Sequence, residues 1–476
     1  MPLGFSVIGA TLLAVVVIGV LAWPRRYNAR RRAPAVQVLV LGDVGRSPRM
    51  QYHALSIAER GHVQLIGYYE TPLVDALDKH PRLTKVALAP PPPALRGLPF
   101  IIGGPLKVVW QVADLFLTLA YTTRPARWLL VQNPPSIPTL LIAGIVAPLR
   151  GTRLVIDWHN YGWSILAGTR GPKHPFVAVA KVYESIVGRI AGDAHLAVTA
   201  AMADELRKPP YNLAHAGPTA VTLSGIASSK AATLAVLHDR PAALFQPAMP
   251  SFPAAPARLQ QLSEILGDDT TAAVTALLRN TTTKIIVSST SWTPDEDFQL
   301  LLDALVEYVK TTSSPQRPPI LAVITGKGPQ KKMYERKLQA LADSGALPPA
   351  QIAVCTAFLP MRDYARLLAL ADLGVCLHMS SSGVDLPMKV VDMFGAGLPV
   401  AAYSAYASFG ELVRDGENGR GFTTSGELAS LLATLLGSSS EIGRLRDGAR
   451  KESRLRWSEE WNRVVAPILD LGDKKE

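Results

Sequence analysis

The chain has 476 residues, 48% of them hydrophobic and 18% charged, which excludes a disordered protein and supplies enough apolar surface for two globular cores. Its 49 Lys+Arg against 38 Asp+Glu give a net charge of +11, pointing to an anionic partner: a membrane surface, a phosphate-rich substrate or nucleic acid. No RNP, zinc-finger or other nucleic-acid signature accompanies that charge, so nucleic acid is set aside. Cys355 and Cys376 sit in apolar runs without metal spacing and read as buried free thiols of a reducing compartment.

From Leu3 to Trp23 the chain is uncharged and apolar, about 21 residues, the length of a helix that crosses a hydrocarbon core. It lacks the basic n-region and small-x-small site of a cleaved signal peptide, and it is too long for one. Arg25, Arg26, Arg30, Arg31 and Arg32 follow. The expectation is one N-terminal transmembrane helix (1–24) and a basic juxtamembrane segment (25–35), with everything downstream in the cytosol by the positive-inside rule.

The run Val36–Leu41 predicts a buried strand, followed by the loop Gly42–Arg49 and a helix from Met50 to Arg60 stopped by Gly61. Gly42 and Gly45 permit close backbone approach, while Arg46, Ser47 and Arg49 offer donors at a helix N-terminus, a pattern suited to an anion. The spacing is not a dinucleotide fingerprint. Strand-like runs at Val63–Gly67, Val86–Ala89, Trp128–Val131, Leu154–Asp157 and His195–Val198 alternate with helical stretches, so residues 36–241 predict a doubly wound parallel sheet.

Two apolar stretches, Phe100–Tyr121 and Ile137–Leu149, read either as core helices or, for the first, as a helix offering Leu106, Trp110 and Phe116 to a bilayer or lipid substrate. Asp157-Trp158-His159-Asn160-Tyr161 follows a strand, where parallel sheets face their ligand crevice. Asp157, His159 and Asn160 are candidates for binding hydroxyls or moving a proton, with Trp158, Tyr161 and Trp163 as an apolar wall and Glu184 as an orienting group for His159.

A boundary is expected at His238–Pro241, after an inserted loop at Lys208–Lys230, with a linker and helix at 242–280 that includes Leu259–Leu278. A second strand–helix series spans 281–455. Within it, Ile320–Thr325 runs into Gly326-Lys327-Gly328, where the backbone and an ammonium can approach a phosphate. Further on, Leu373–His378 leads through a Ser/Gly turn containing Ser382 and Gly383 to a short helix with Lys389 and Asp392 at i and i+3. Lys389 suits a diphosphate and Asp392 a ribose diol, which predicts a nucleotide-sugar pocket. A final helix around Trp457–Leu471, in segment 456–476, is long enough to return to the first domain.

These blocks carry a resemblance. Two Rossmann-like domains facing a cleft, the second with Thr325–Pro329 and Leu386–Asp392, look like the GT-B glycosyltransferases. More narrowly, Leu41–His53, Asp157–Gly162, His238–Pro241, Ser288–Asp297 and Ser380–Pro399 resemble, in that order, the chitobiosyldiphosphodolichol β-mannosyltransferases of the endoplasmic reticulum. The resemblance implies a GT-B fold and inverting transfer of mannose from GDP-mannose to GlcNAc2-diphosphodolichol. Also implied are a dolichol-linked acceptor, an endoplasmic reticulum membrane, and other mannosyltransferases of that pathway as candidate partners.

Of the site roles the resemblance carries over the ribose contact, to Asp392; the other roles follow from the residues as read above. The donor falls to Gly326, Lys327, Gly328, Ser382, Gly383, Lys389 and Asp392; the acceptor falls to Gly42, Gly45, Arg46, Ser47, Arg49, Trp158, Asn160 and Tyr161. The general base is His159 or Asp157, with Asp43 as rival. No cofactor is required beyond the GDP-mannose co-substrate, and a divalent cation is allowed but not indicated. One departure stands out: the Glu-x7-Glu of retaining relatives is not intact, because Val384 lies eight residues before Asp392.

Overall fold

Seven segments alternate with helices and pair in parallel: β1 (Val36–Asp43), β2 (Val63–Tyr68), β3 (Leu83–Ala87), β4 (Trp128–Asn133), β5 (Arg153–Trp158), β6 (Ala194–Ala197) and β7 (Thr233–Val236), in the order β3-β2-β1-β4-β5-β6-β7. In the computed structural model the described residues are 23–29, 36–213, 233–248, 252–267, 270–293, 296–310 and 317–472. The expected anchor and most of the Lys208–Lys230 loop lie outside them. A second parallel sheet follows: β8 (Lys284–Ser289), β9 (Ile320–Thr325), β10 (Ile352–Ala357), β11 (Leu373–Cys376), β12 (Val400–Tyr403) and β13 (Gly419–Phe422), ordered β10-β9-β8-β11-β12-β13.

The central strands are apolar on both faces because helices cover both. Along β5, Leu154, Ile156 and Trp158 alternate onto one face of the first sheet, with Leu39, Leu129 and Val131. Helices Phe100–Leu117, Thr139–Leu149 and Pro175–Ala191 cover that face. Val155 points to the other face with Val36, Val38 and Leu130, beneath helix Pro48–Ala58 and the C-terminal helix Trp457–Ile468. That last helix presents Trp457, Trp461 and Val465 at i, i+4 and i+8, all buried. Burial contributes about 1.5–3 kcal/mol for each large apolar side chain, and these residues fasten the chain's end to its first domain.

Three details differ from expectation. The helix expected over Leu259–Leu278 is two helices, Ala255–Leu266 and Ala272–Arg279, broken where Gly267 adopts φ 75°. β7 and β13 are additional strands. Their sequences, Thr-Leu-Ala-Val and Gly-Arg-Gly-Phe, are too short or too glycine-rich to announce themselves.

The carboxyl ends of the two sheets face each other. Asn160, just after β5, donates from Nδ2 to Asp385 Oδ2 at 3.1 Å and Ser381 Oγ at 3.2 Å in the turn after β11. Thr199 Oγ1 donates to the Val384 carbonyl at 2.6 Å. Glu411 accepts from the Ala200 and Ala201 amides at 2.6 and 2.8 Å and lies 3.0 Å from His238 Nε2. Burial would raise the Glu411 carboxyl, but the bonds from His238, Ala201 and Ala200 hold it below its ordinary value.

Candidate active site

Asp157 is fully buried, and its two oxygens gather four donors, three of them from more than 100 positions away. Arg49 Nε and Nη2 form a two-pronged pair with Oδ2 and Oδ1 at 2.8 and 2.9 Å. His53 Nε2 lies 3.1 Å and His159 Nε2 2.9 Å from Oδ2. Burial alone would raise this carboxyl; the Arg49 cation, then His159, then the bond from His53, hold it well below the usual carboxylate range. An ionised carboxylate only accepts, so His159 must donate from Nε2. That leaves Nδ1 as the lone-pair nitrogen of a ring still 22% exposed at the cleft.

The His53 tautomer is fixed from behind. Trp461 Nε1 donates to His53 Nδ1 at 2.9 Å, so the proton of this buried ring sits on Nε2 and is given to Asp157. Burial, with Arg49 and His159 nearby, keeps the ring below its ordinary pKa despite Asp157. Arg49 and His53 stand at i and i+4 on helix Pro48–Ala58, and Trp457 and Trp461 stand at i and i+4 on the C-terminal helix. Arg49 lies 5.5 Å from the Trp457 ring and His53 5.1 Å from it, edge-on.

This geometry corrects several expectations. Arg49 is 2% exposed and already committed to Asp157, to Asp239 Oδ1 at 2.7 Å and to the Leu237 carbonyl at 3.0 Å, so it binds no acceptor. Asp157 is sealed from the cleft and serves as the anchor of His159. Asp43, the rival base, has its oxygens occupied by the Gly45, Glu70 and Thr71 amides and by Thr71 Oγ1 at 2.5 Å. Burial opposes these bonds, yet they leave its carboxyl below the ordinary value, and the group fastens a loop. Gly45 is needed there because a Cβ would meet the Thr71 carbonyl oxygen at 2.3 Å.

Trp158 and Tyr161 are core residues, not an acceptor wall. Trp158 donates to His195 Nδ1 at 3.2 Å, and Tyr161 is stacked between Trp163 and Tyr211. Glu184 does not reach His159. It accepts from the Gly162 and Trp163 amides at 3.2 Å and from Asn133 Nδ2 at 2.8 Å, capping a helix. Gly42 is the penultimate residue of β1, not a loop residue, while Ser47 and the exposed Arg46 lie in the turn between β1 and helix Pro48–Ala58.

On the opposite wall, a cleft of about 270 Å³ is lined by Ser289, Thr290, Thr325, Gly326, Lys389 and Asp392, with Phe358, Met361 and Tyr364 at its apolar side. Gly326, at φ 134°, lets the β9 loop meet the Thr290 carbonyl, which a Cβ would strike at 1.8 Å. Gly328 makes the same close approach to Ser291. Lys327 Nζ rests 3.6 Å from the centre of the Phe358 ring. Lys389, at the start of helix Met388–Gly395, pairs with buried Glu296, which also accepts from Thr290 Oγ1 at 2.7 Å and the Ser291 amide at 2.6 Å.

Asp392 keeps one edge on this cleft, and among the described residues no cation lies within ion-pair distance of it. Burial first, and the neighbouring Asp239, raise its carboxyl well above the usual range.

The sequence reading missed Asp385. It sits in the Ser380–Pro399 stretch and accepts from Ser380 Oγ, from Ser382 Oγ at 3.4 Å and from Asn160, with His378 Nε2 at 3.2 Å. Its signal was an acidic residue ending a Ser/Gly turn just before Leu-Pro. Two His–Asp pairs, His159–Asp157 and His378–Asp385, therefore face the cleft from opposite domains and are linked through Asn160. Among the described residues no group of three or more His, Cys, Asp or Glu side chains is placed to hold a metal ion.

Two parallel sheets meeting at their carboxyl ends, with the polar constellation between them, define a GT-B glycosyltransferase. The family profile described as "Glycosyl transferases group 1" matches residues 282–438. The fold is shared with Anabaena HepE, crystallised with UDP and glucose, at a TM-score of 0.61 and 16% identity over 92% of this chain and 99% of that one. The chain is 44% identical to the chitobiosyldiphosphodolichol beta-mannosyltransferase of Arthroderma benhamiae, over 84% of this chain and 85% of the relative. To the human protein of the same name it is 38% identical, over 96% of this chain and 97% of the relative. The chain belongs to the chitobiosyldiphosphodolichol beta-mannosyltransferase family.

Proposed function

We propose that this enzyme transfers mannose from GDP-mannose to the 4-hydroxyl of the outer GlcNAc of GlcNAc2-diphosphodolichol, with inversion to a β-1,4 linkage. The observation that carries this reading is that 38% identity with the human beta-mannosyltransferase extends over 96% of this chain, a span that takes in both sheets. The acceptor oxygen attacks the anomeric carbon as its bond to GDP breaks, and the hydroxyl proton passes to His159 Nδ1. Asp157 holds the ring and balances the imidazolium. Lys389, Lys327 and the first amides of helix Met388–Gly395 stabilise the departing diphosphate. Asp392 accepts from the ribose hydroxyls, and exposed Phe358 and Met361 offer an apolar platform to the base. The end of β1 and the turn after it, with Gly42, Gly45, Arg46 and Ser47, receive the acceptor diphosphate.

Residues 1–24 act as an anchor in the endoplasmic reticulum membrane, with the body on the cytosolic side. The test is product analysis with the full chain, labelled GDP-mannose and a chitobiosyl-diphosphate lipid, with UDP-sugars in parallel. A β-mannosidase-sensitive trisaccharide formed from GDP-mannose alone is the expected result. Transfer from a UDP-sugar instead would overturn the donor assignment.

A further inference from the structure

The three helices that cover one face of the first sheet carry apolar stripes on their outer sides as well. Ile102, Leu106, Val109 and Leu117 run along helix Phe100–Leu117 at helical spacing, with Ile102, Val109 and Leu117 between 54% and 63% exposed. Leu141 and Ile145 continue the surface on helix Thr139–Leu149, which lies in the middle and is tied to helix Pro175–Ala191 where Tyr183 Oη accepts from the Leu141 amide at 3.2 Å. Phe176, Val179 and Ile186 complete it on the third helix. Only 22% of the most apolar window of Ile102–Thr122 is buried, unlike an ordinary core helix. Single exposed apolar residues need no explanation, but parallel stripes on three adjacent helices do.

Two further observations say what covers this face. The charge on these helices is mostly of one sign: helices Phe100–Leu117 and Pro175–Ala191 and the approach to the latter carry Lys107, Lys173, Lys181 and Arg189 against Asp114 and Glu184, and Glu184 is fully buried. Exposed Lys173, Lys181 and Arg189 belong to the third helix or its approach. The second observation is where the chain enters. Arg150, ending the middle helix, donates from Nε to the Arg25 carbonyl at 3.2 Å and accepts at its own carbonyl from the Tyr27 amide at 2.7 Å. It also donates to the Thr123 hydroxyl and carbonyl, both at 2.7 Å, at the end of the first helix. Residues 25–27, which follow the apolar run in sequence, therefore lie against the rim of this face. In a parallel sheet these helices start at the carboxyl ends of the strands, so the face extends from that rim to the cleft.

We propose that this three-helix face lies in the headgroup–acyl boundary of an anionic bilayer, as a second membrane contact that sets the cleft at the height of a lipid-linked diphosphate. An apolar surface with a basic rim is the chemistry of an interfacial contact. The inference rests on the membrane reading above in one respect, that the N-terminal run enters the same bilayer.

The test uses the full chain, with Cys355 replaced by Ser, reconstituted into phosphatidylcholine vesicles containing phosphatidylserine. An environment-sensitive fluorophore is attached at Val109→Cys, Val179→Cys or, as a control on the other domain, Lys337→Cys. Doxyl groups on the lipid chains should quench the first two labels about twofold, as for a face a few ångströms deep in the boundary, and leave the third unchanged. Vesicle flotation with no quenching at Val109 and Val179 would overturn the proposal while leaving the anchor intact. Failure to float would instead sink the anchor reading and the face together. Unquenched but blue-shifted labels, with dimers in sedimentation, would assign the face to a second copy of the chain and also overturn the proposal.

Discussion

Asp157 and Asp392 are largely buried carboxylates, one in each domain, and their surroundings push them in opposite directions. Asp157 receives a two-pronged guanidinium and two imidazoles, so its charge persists and becomes a fixed point on which His159 is hung. Asp392 faces Ser289, Thr325, Tyr364 and an apolar rim, with a second carboxylate nearby and no paired cation among the described residues. One carboxylate has spent its acceptor capacity inside the protein; the other has an edge on the cleft. The difference teaches that residue type did not decide role. The donors within reach did, and in the first domain they come from positions 108, 104 and 2 residues away.

The largest effect should come from breaking the satisfied carboxylate. Asp157→Asn leaves Arg49 buried with one partner fewer and sets an amide N–H against donors, so stability should fall by about 3–5 kcal/mol and turnover should collapse. Urea unfolding and initial rates measure both; a fully stable variant would contradict the description of Asp157 as the anchor. His159→Ala should separate the two losses. The ring is at the cleft edge and its side-chain bond is to Asp157, which keeps Arg49 and His53, so stability should fall far less than in Asp157→Asn and GDP affinity should hold, while turnover drops about 10²–10⁴-fold, the usual contribution of a positioned base. Normal turnover in this variant would move the proton to His378 or to solvent.

Much of this contrast was legible in the sequence, in places for the wrong reason. The strands, the Ser380–Pro399 turn and Asp392 on its helix follow from local pattern, since each is decided by neighbours a few residues away. The pairing of Arg49 with Asp157 is not local, and a basic residue after a glycine loop looks like a phosphate ligand until its partner is known. Strand alternation held an unused signal: Trp158 shares its face with Leu154 and Ile156, which makes it core, while Asp157 points the other way. Likewise the i, i+4 spacing of Arg49 with His53, and of Trp457 with Trp461, marks two helix faces that meet. Asp385 was overlooked because the expected acid position fell one residue earlier, on Val384.

Asp392→Asn sharpens the comparison because its two effects have opposite signs. A ribose contact to a neutral amide should be weaker by about 1.5–3 kcal/mol, read as GDP Kd by calorimetry. The same change should raise Tm by a few degrees, about the gain expected when a strained functional group is relieved. With the folded carboxyl raised, the native state holds its proton longer than the unfolded chain, so Asp392 costs stability increasingly as pH rises above about 3.9, the unfolded value. The Tm advantage of Asp392→Asn should therefore vanish below that pH and grow above it. For Asp157 the sign is reversed: its contribution is complete above about 3.9 and is lost as pH falls through its depressed folded value. Parallel pH profiles for the two variants would dissolve the contrast between the two carboxylates.

The smallest effect should come from Trp461→Phe, three hydrogen bonds away from the His159 ring. The substitution keeps most of the ring packing and removes the one N–H given to His53 Nδ1. A buried acceptor left unpaired costs about 1–3 kcal/mol, so unfolding should move measurably. Asp157 retains Arg49 and His159, and turnover should fall by less than about tenfold, a loss below that of removing the base itself. A packing defect alone would give that stability change too, so the deciding readout is imidazole ¹⁵N NMR. Wild-type His53 should carry its proton on Nε2, and in Trp461→Phe the proton should stay there, because the Asp157 carboxylate still accepts it, while the Nδ1 resonance shifts as that nitrogen loses its donor. A wild-type His53 protonated on Nδ1 would break the line from the C-terminal helix through Asp157 to His159, and would leave the last helix as a fastening with no part in holding the base.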